Sequence, residues 1–175
     1  MRVLASVLLL LLTACSQPAR VQSAPPIVQP APARQTVTVT EVVDGDTVYV
    51  RFADGRTDKV RLIGIDTPET RDPRKPVQCF GVAASNRAKE LLNHQTVSLE
   101  LDPSQGERDR YKRLLAYLWL PDGRNFGEVM LAEGYAHEYT YRVPYAYQAE
   151  FKAAQSAAKA SGAGLWAPET CGGNP

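Results

Sequence analysis

Three short stretches carry the side chains that could do chemistry. Val42-Val43-Asp44-Gly45-Asp46-Thr47-Val48 sets two aspartates around a glycine. Val60-Arg61-Leu62-Ile63-Gly64-Ile65-Asp66-Thr67-Pro68-Glu69-Thr70 supplies an arginine and two acids. Asp109-Arg110-Tyr111-Lys112-Arg113 puts a tyrosine among cations. Asp46 and Asp66 are candidate ligands for a hard ion, because carboxylate oxygens select Ca²⁺ or Mg²⁺ over softer metals. Arg61 and Arg113 offer planar, paired donors that match phosphate oxygens and keep their charge. Glu69, three residues beyond Asp66 and past a proline, is a candidate general base or water-orienting group. The bland alternatives are a hairpin turn at Asp44-Gly45, a strand with polar ends around Arg61 and Asp66, and a surface glutamate.

The elements around these residues give them direction. Thr36 to Val43 alternates threonine and valine and reads as a strand. Asp44-Gly45 reads as a tight hairpin turn. Thr47 to Phe52 continues as a strand, Asp54-Gly55 turns, and Thr57 to Ile65 returns, so a three-stranded meander closes before Asp66. Thr67 to Val77 is a loop with Pro68, Pro73 and Pro76 and the cations Arg71, Arg74 and Lys75. Phe80 to His94 is an amphipathic helix with Ala84, Ala88, Leu91 and Leu92 on its inner face. Thr96 to Leu101 and Leu114 to Leu120 are strands. Asn125 caps a short helix that ends at Gly134. Pro144 opens a last helix to about Ala160, with Tyr147, Phe151, Ala154 and Ala158 facing inward, and Trp166 folds back as a core plug. His94 and His137 stand alone in the sequence and read as structural or surface residues. The expected class is α+β, mainly β.

The pairing of Asp-Gly-Asp-Thr at 44–47 with Arg-Leu-x-Gly-Ile-Asp-x-Pro-Glu at 61–69 resembles the staphylococcal nuclease (thermonuclease) family, over about Thr36 to Trp166. That resemblance implies a five-stranded OB-fold barrel with about three helices, a fold that commonly binds nucleic acid on one face. It implies Ca²⁺ held by Asp46, Asp66 and the backbone carbonyl of Thr67. It gives Arg61, Glu69 and Arg113 catalytic roles on a phosphodiester and makes Tyr111, Tyr139 and Tyr141 substrate-binding residues. The implied reaction is hydrolysis of DNA and RNA with little sequence preference, leaving 3′-phosphate ends. So few protein ligands suit weak binding, around 10⁻⁴–10⁻³ M. The family has Tyr-Gly-Arg where this chain has Tyr111-Lys112-Arg113, and lysine tolerates a positive φ far less well than glycine.

Composition adds the context. The 175 residues carry 20 basic and 19 acidic side chains, a net charge of +1, so no global charge advertises a polyanion partner. Nucleic-acid binding must come from local cation clusters. Residues 1–14 read as a signal peptide, with Arg2 ahead of an apolar run around Val7 to Leu12. That run is shorter than the roughly 20 residues a membrane span needs. Leu12-Thr13-Ala14-Cys15 resembles a bacterial lipobox, which implies cleavage before Cys15 and acylation of its thiol, and several acyl chains anchor stably. Residues 15–35, with Pro18, Pro25, Pro26, Pro30 and Pro32, read as a tether. Residues 36–170 form the domain and 171–175 a tail. With Cys15 acylated, Cys79 and Cys171 remain, and in an oxidising compartment they are expected to pair. No ligand spacing points to zinc.

The expected protein is a membrane-tethered, monomeric, Ca²⁺-dependent nuclease acting on DNA and RNA. The alternative is a noncatalytic OB-type module that holds nucleic acid on an envelope lipoprotein. A purely structural envelope lipoprotein is a third reading, supported only by the leader and tether.

Overall fold

The computed structural model describes residues 33–73 and 76–174. The signal peptide, Cys15, most of the expected tether, and Arg74 and Lys75 lie outside the described residues.

Five strands close a barrel in the order β1-β2-β3-β6-β5: β1 Arg34–Val42, β2 Thr47–Phe52, β3 Thr57–Leu62, β5 Thr96–Leu101 and β6 Leu114–Trp119. All neighbours are antiparallel except β3 and β6, which run parallel and complete the closure. Inward positions follow the two-residue period of a strand: Val48 and Val50, Val60 and Leu62, Val97 and Leu99, and Leu114, Ala116 and Leu118 are all buried. In β1 the register shifts between Val39 and Glu41. That bulge flips the alternation by one residue, so Val37, Val39 and Val42 are buried while Glu41 faces out.

Strand β1 begins two residues earlier than the sequence pattern suggested. Arg34, read as tether, pairs with Glu100, donates to its Oε2 at 2.8 Å and stacks on Trp119 at 3.6 Å. A single strand from Thr57 to Ile65 was expected, but the chain breaks at Ile63. Gly64 takes φ 82°, and β4, Gly64–Asp66, leaves the barrel to pair with β7, His137–Tyr139. A Cβ on Gly64 would lie 2.7 Å from the Tyr145 ring and 2.8 Å from Phe151, so the bend needs glycine for both space and φ.

Helix α1, Gly81–Leu92, buries Ala84, Ala88 and Leu92 against the barrel. Helix α2, Phe126–Ala132, is capped by Asn125, whose side chain accepts from the Gly127 N–H. Helix α3, Gln148–Ser161, starts four residues later than expected. The Ala146 N–H donates to Asp102 Oδ2 at 2.9 Å, a side-chain partner that holds the chain out of the helix just before α3. Phe151 and Ala158 are buried, with Tyr147 and Ala154 packed beside them. The residue that plugs the core after α3 is Leu165, fully buried, rather than Trp166, which lies half-buried between His137 and Lys159. Cys79 and Cys171 form a disulfide that spans 92 residues of sequence.

Candidate active site

Asp46 sits at the mouth of the barrel, just before β2. Its connection is wider than the expected two-residue hairpin. Residues 43–46 form a four-residue bend in which the Val43 and Asp44 N–H groups both donate to Thr47 O, and Asp44 Oδ1 accepts from the Asp46 N–H at 3.2 Å. Gly45 is there for room, since a Cβ would stand 2.6 Å from the Thr67 side chain. That contact brings the two motifs together. Asp46 is 7 % exposed; its Oδ2 accepts from the Thr67 N–H at 3.0 Å and the Thr67 hydroxyl at 3.2 Å, and its Oδ1 accepts from the Thr47 hydroxyl.

Arg61 ties this carboxylate to the bend that presents Asp66. Its Nη1 donates to the Leu62 and Ile65 carbonyls, both at 2.7 Å, bridging the break in the strand. Its Nη2 lies 2.9 Å from Asp66 Oδ1 and 3.4 Å from Asp46 Oδ2. One guanidinium nitrogen therefore touches two carboxylates that are 20 residues apart in sequence.

Glu69 follows on the 67–80 loop. Its Oε1 accepts from the N–H groups of Thr70 at 2.7 Å, Arg71 at 2.5 Å and Asp72 at 3.1 Å. These bonds fold the carboxylate back onto its own loop. Arg71 Nε donates to Val43 O at 3.1 Å, fastening the loop to the Asp46 bend.

Arg113 and Tyr111 form a second cluster. Arg113 donates through Nε and Nη2 to Asp109 Oδ2, each at 2.7 Å, and lies 5.4 Å from the Tyr111 ring centre. The Tyr111 hydroxyl accepts from Arg110 at 2.6 Å, and the ring is well exposed. Arg113 is paired with Asp109, while Arg61 is paired with Asp46 and Asp66, so the two clusters stand side by side. Their relation comes from the parallel pairing of β3 with β6: Val60 is level with Leu114 and Arg61 with Leu115, which sets Arg113 two residues back along the neighbouring strand.

Lys112 holds φ 64°, the conformation glycine would take without strain. The Asp109 carboxylate enforces it, accepting from the N–H groups of Tyr111 and Arg113, while the Lys112 N–H donates to Asp109 O. Lys112→Gly should therefore keep the loop and raise stability by about 1 kcal/mol, read as a higher urea midpoint. A lower midpoint would show that the lysine is not strained.

Tyr139 and Tyr141 are exposed, with ring centres 6.3 Å apart. Across the β4–β7 pair His137 is level with Asp66, while Tyr139 is level with Gly64, at the other end of the pair, and Tyr141 follows two residues on. Tyr145 is instead a core residue, buried with its hydroxyl on Glu138.

Hard-cation chemistry suits the Asp46–Asp66 corner. Burial, and then the neighbouring Asp46 and Glu69 charges, push the Asp44 carboxyl up to about 6. The like-charge part of that rise is repulsion that a cation would relieve. Among the described residues no three His, Cys, Asp or Glu side chains converge as a cage. Two carboxylates, Asp46 and Asp66, meet there on one guanidinium nitrogen, and paired carboxylate oxygens are the donor chemistry that hard cations take together with water. Two contributors escaped the sequence reading. Asp44 reads from sequence as a turn residue, although the same Asp-Gly-Asp spacing also signals a shared charge. Gln78, which hydrogen-bonds the backbone of Glu69, carries no sequence signal.

Comparison with known proteins matches residues 59–168 to the family model described as "Staphylococcal nuclease homologue". The matched range holds Arg61, Asp66, Glu69 and Arg113, and Asp46 lies ahead of it. The chain is similar to the thermonuclease of Staphylococcus hyicus, at 44% identity over 133 residues, covering 75% of this chain and 76% of that protein. It is similar to the SPbeta prophage-derived endonuclease YokF of Bacillus subtilis (strain 168), at 42% over 131 residues, 74% of this chain and 43% of YokF. Endonuclease YncB of the same organism is 40% identical over 131 residues, 74% of this chain and 61% of YncB.

Proposed function

Because the chain belongs to the staphylococcal nuclease family and is a nuclease of that family, we propose that it is a Ca²⁺-dependent hydrolase of DNA and RNA phosphodiesters that leaves 3′-phosphate ends. The observation that carries this reading is the Nη2 of Arg61 set between Asp46 and Asp66 beside the Glu69 loop. A phosphodiester repels an attacking hydroxide, so hydrolysis needs charge neutralisation, an oriented water and a proton acceptor. Asp46, Asp66 and the Thr67 carbonyl would hold Ca²⁺, which supplies positive charge to the phosphate when bound.

Glu69 orients the water and takes its proton as oxygen attacks phosphorus. Arg61 and Arg113 exchange their present carboxylate partners for phosphate oxygens and stabilise the added charge of the transition state. The bond to the 5′-oxygen breaks, that oxygen takes up a proton from solvent as it leaves, and the phosphate stays on the 3′ side. Tyr111, Tyr139 and Tyr141 present exposed rings on which bases stack without sequence preference.

The test is digestion of plasmid DNA and of RNA by the purified domain, with Ca²⁺ or with chelator, followed by analysis of the product ends. Cleavage of both polymers with Ca²⁺ alone, giving 3′-phosphates, is the expected result. Binding without cleavage under every metal condition would favour the noncatalytic module. We further propose that the protein is exported, lipidated at Cys15, and monomeric. Metabolic labelling with a fatty acid should mark the wild type and leave Cys15→Ser unmarked.

A further inference from the structure

Glu69 does not hang from a free loop. Gln78 grips its backbone on both sides: Gln78 Oε1 accepts from the Glu69 N–H at 2.5 Å, and the Gln78 N–H donates to Glu69 O at 3.0 Å. Both hydrogen-bonding groups of one residue are taken by a single partner. Two such bonds fix the rotation of the Glu69 backbone as well as its place, and the direction of the side chain follows from that rotation.

Gln78 is itself braced from three directions. Its carbonyl accepts from the Gly81 N–H at 3.0 Å, closing a turn in which Phe80 takes φ 66° and stacks on Tyr135, ring centres 5.4 Å apart. A non-glycine residue at such a φ persists only where its surroundings hold it there. Helix α1 then starts so close to the loop that a Cβ on Gly81 would lie 3.0 Å from Pro68 O and 3.2 Å from Glu69 O. Between Gln78 and Phe80, Cys79 is bonded to Cys171. The tail around Cys171 is fixed in turn, with the Gly172 N–H on Ala167 O and the Gly173 N–H on Leu165 O.

We propose that Gln78, held in place by the Cys79–Cys171 bond, is the positioning residue that aims Glu69, and this rests on the role given to Glu69 above. Chemistry that depends on a near-attack geometry is sensitive to shifts of an ångström or less, whereas substrate affinity here comes from the arginines and exposed tyrosines. Loss of the Gln78 acceptor should therefore appear in kcat and leave KM in place.

The experiment measures kcat, KM and melting temperature for Gln78→Met, which fills the same space without an acceptor, and Gln78→Glu, which keeps an acceptor. Gln78→Met should lower kcat by about 10–100-fold with KM within about twofold, and Gln78→Glu should restore most of the rate. In a Glu69→Ala background, Gln78→Met should cost nothing further, since a residue acting through Glu69 has nothing left to aim. Should the methionine variant lose its melting transition, Gln78→Asn, which retracts the amide by one methylene, carries the same expectation. Wild-type kcat in the acceptor-less variant, failure of Gln78→Glu to rescue, or a full additional loss in the Glu69→Ala background overturns the proposal. Inactive Glu69→Ala beside active Gln78→Met overturns the role of Gln78 alone. Wild-type kcat in Glu69→Ala overturns the role of Glu69 and this one with it.

Discussion

Replacing Arg61 with lysine should lower the cleavage rate by about 10²–10³-fold, the loss typical of removing one transition-state donor. Lysine keeps the charge but loses the planar fork. In the resting protein that fork makes three strong bonds, to Leu62 O, Ile65 O and Asp66 Oδ1, and touches Asp46 Oδ2 besides. An ammonium cannot span all four. Two carbonyls at the strand break and a nearly buried Asp46 then lose a partner, which should cost about 1–3 kcal/mol of stability. The Asp66 share of that loss is small, because its side chain is 57 % exposed and screened by water. The variant should thus fail twice: a lower urea midpoint, and a rate loss that persists at concentrations where it is fully folded. Near-wild-type kcat/KM in folded Arg61→Lys would remove Arg61 from the chemistry and leave it as a brace for the bend.

Glu69→Gln should separate chemistry from structure more cleanly. The substituted amide keeps the same size and still offers an oxygen to the N–H groups of Thr70, Arg71 and Asp72. The loop and the melting temperature should be unchanged. What is lost is a proton acceptor for water, worth about 10²–10⁴-fold in rate for a general base. The loss should fall on kcat, with KM close to wild type, because Glu69 is not assigned a bond to substrate. Full kcat in this variant would pass the proton to another group. Asp44 is the first candidate, since burial and the neighbouring Asp46 charge push its carboxyl up to about 6.

The barrel was legible because its signals are local. Val48 and Val50 alternate with polar neighbours, Asn125 precedes a short apolar helix, and Gly134 stops it. The break at Gly64 was not, because Leu62-Ile63-Gly64-Ile65 has the composition of one continuous strand. What bends it is tertiary: the Tyr145 and Phe151 rings against Gly64, and Arg61 across two carbonyls. The start of α3 was misplaced for a similar reason, since Asp102, more than 40 residues upstream, captures the Ala146 N–H. Residue types identified Asp46, Arg61, Asp66, Glu69 and Arg113 as a set, and the structure brings Asp46, Arg61 and Asp66 into direct contact. Their present bonds could not be read. Arg61 spends its donors on the protein, Glu69 is folded onto its loop, and Arg113 is paired with Asp109. Lys112 shows the limit of substitution logic: a residue poorly suited to positive φ adopts it anyway, because the Asp109 hydrogen bonds outweigh the strain.

The most direct measurement is the rate of cleavage of a single-stranded oligonucleotide as Ca²⁺ is raised from a chelated baseline, in wild type and in Asp66→Ala. Wild type should rise from no detectable cleavage to a plateau with half-saturation around 10⁻⁴–10⁻³ M, as a few-ligand oxygen site predicts. Asp66→Ala should need far more Ca²⁺ or never rise. Cleavage that ignores the chelator, or an Asp66→Ala curve that overlays wild type, would contradict a metal held between these carboxylates.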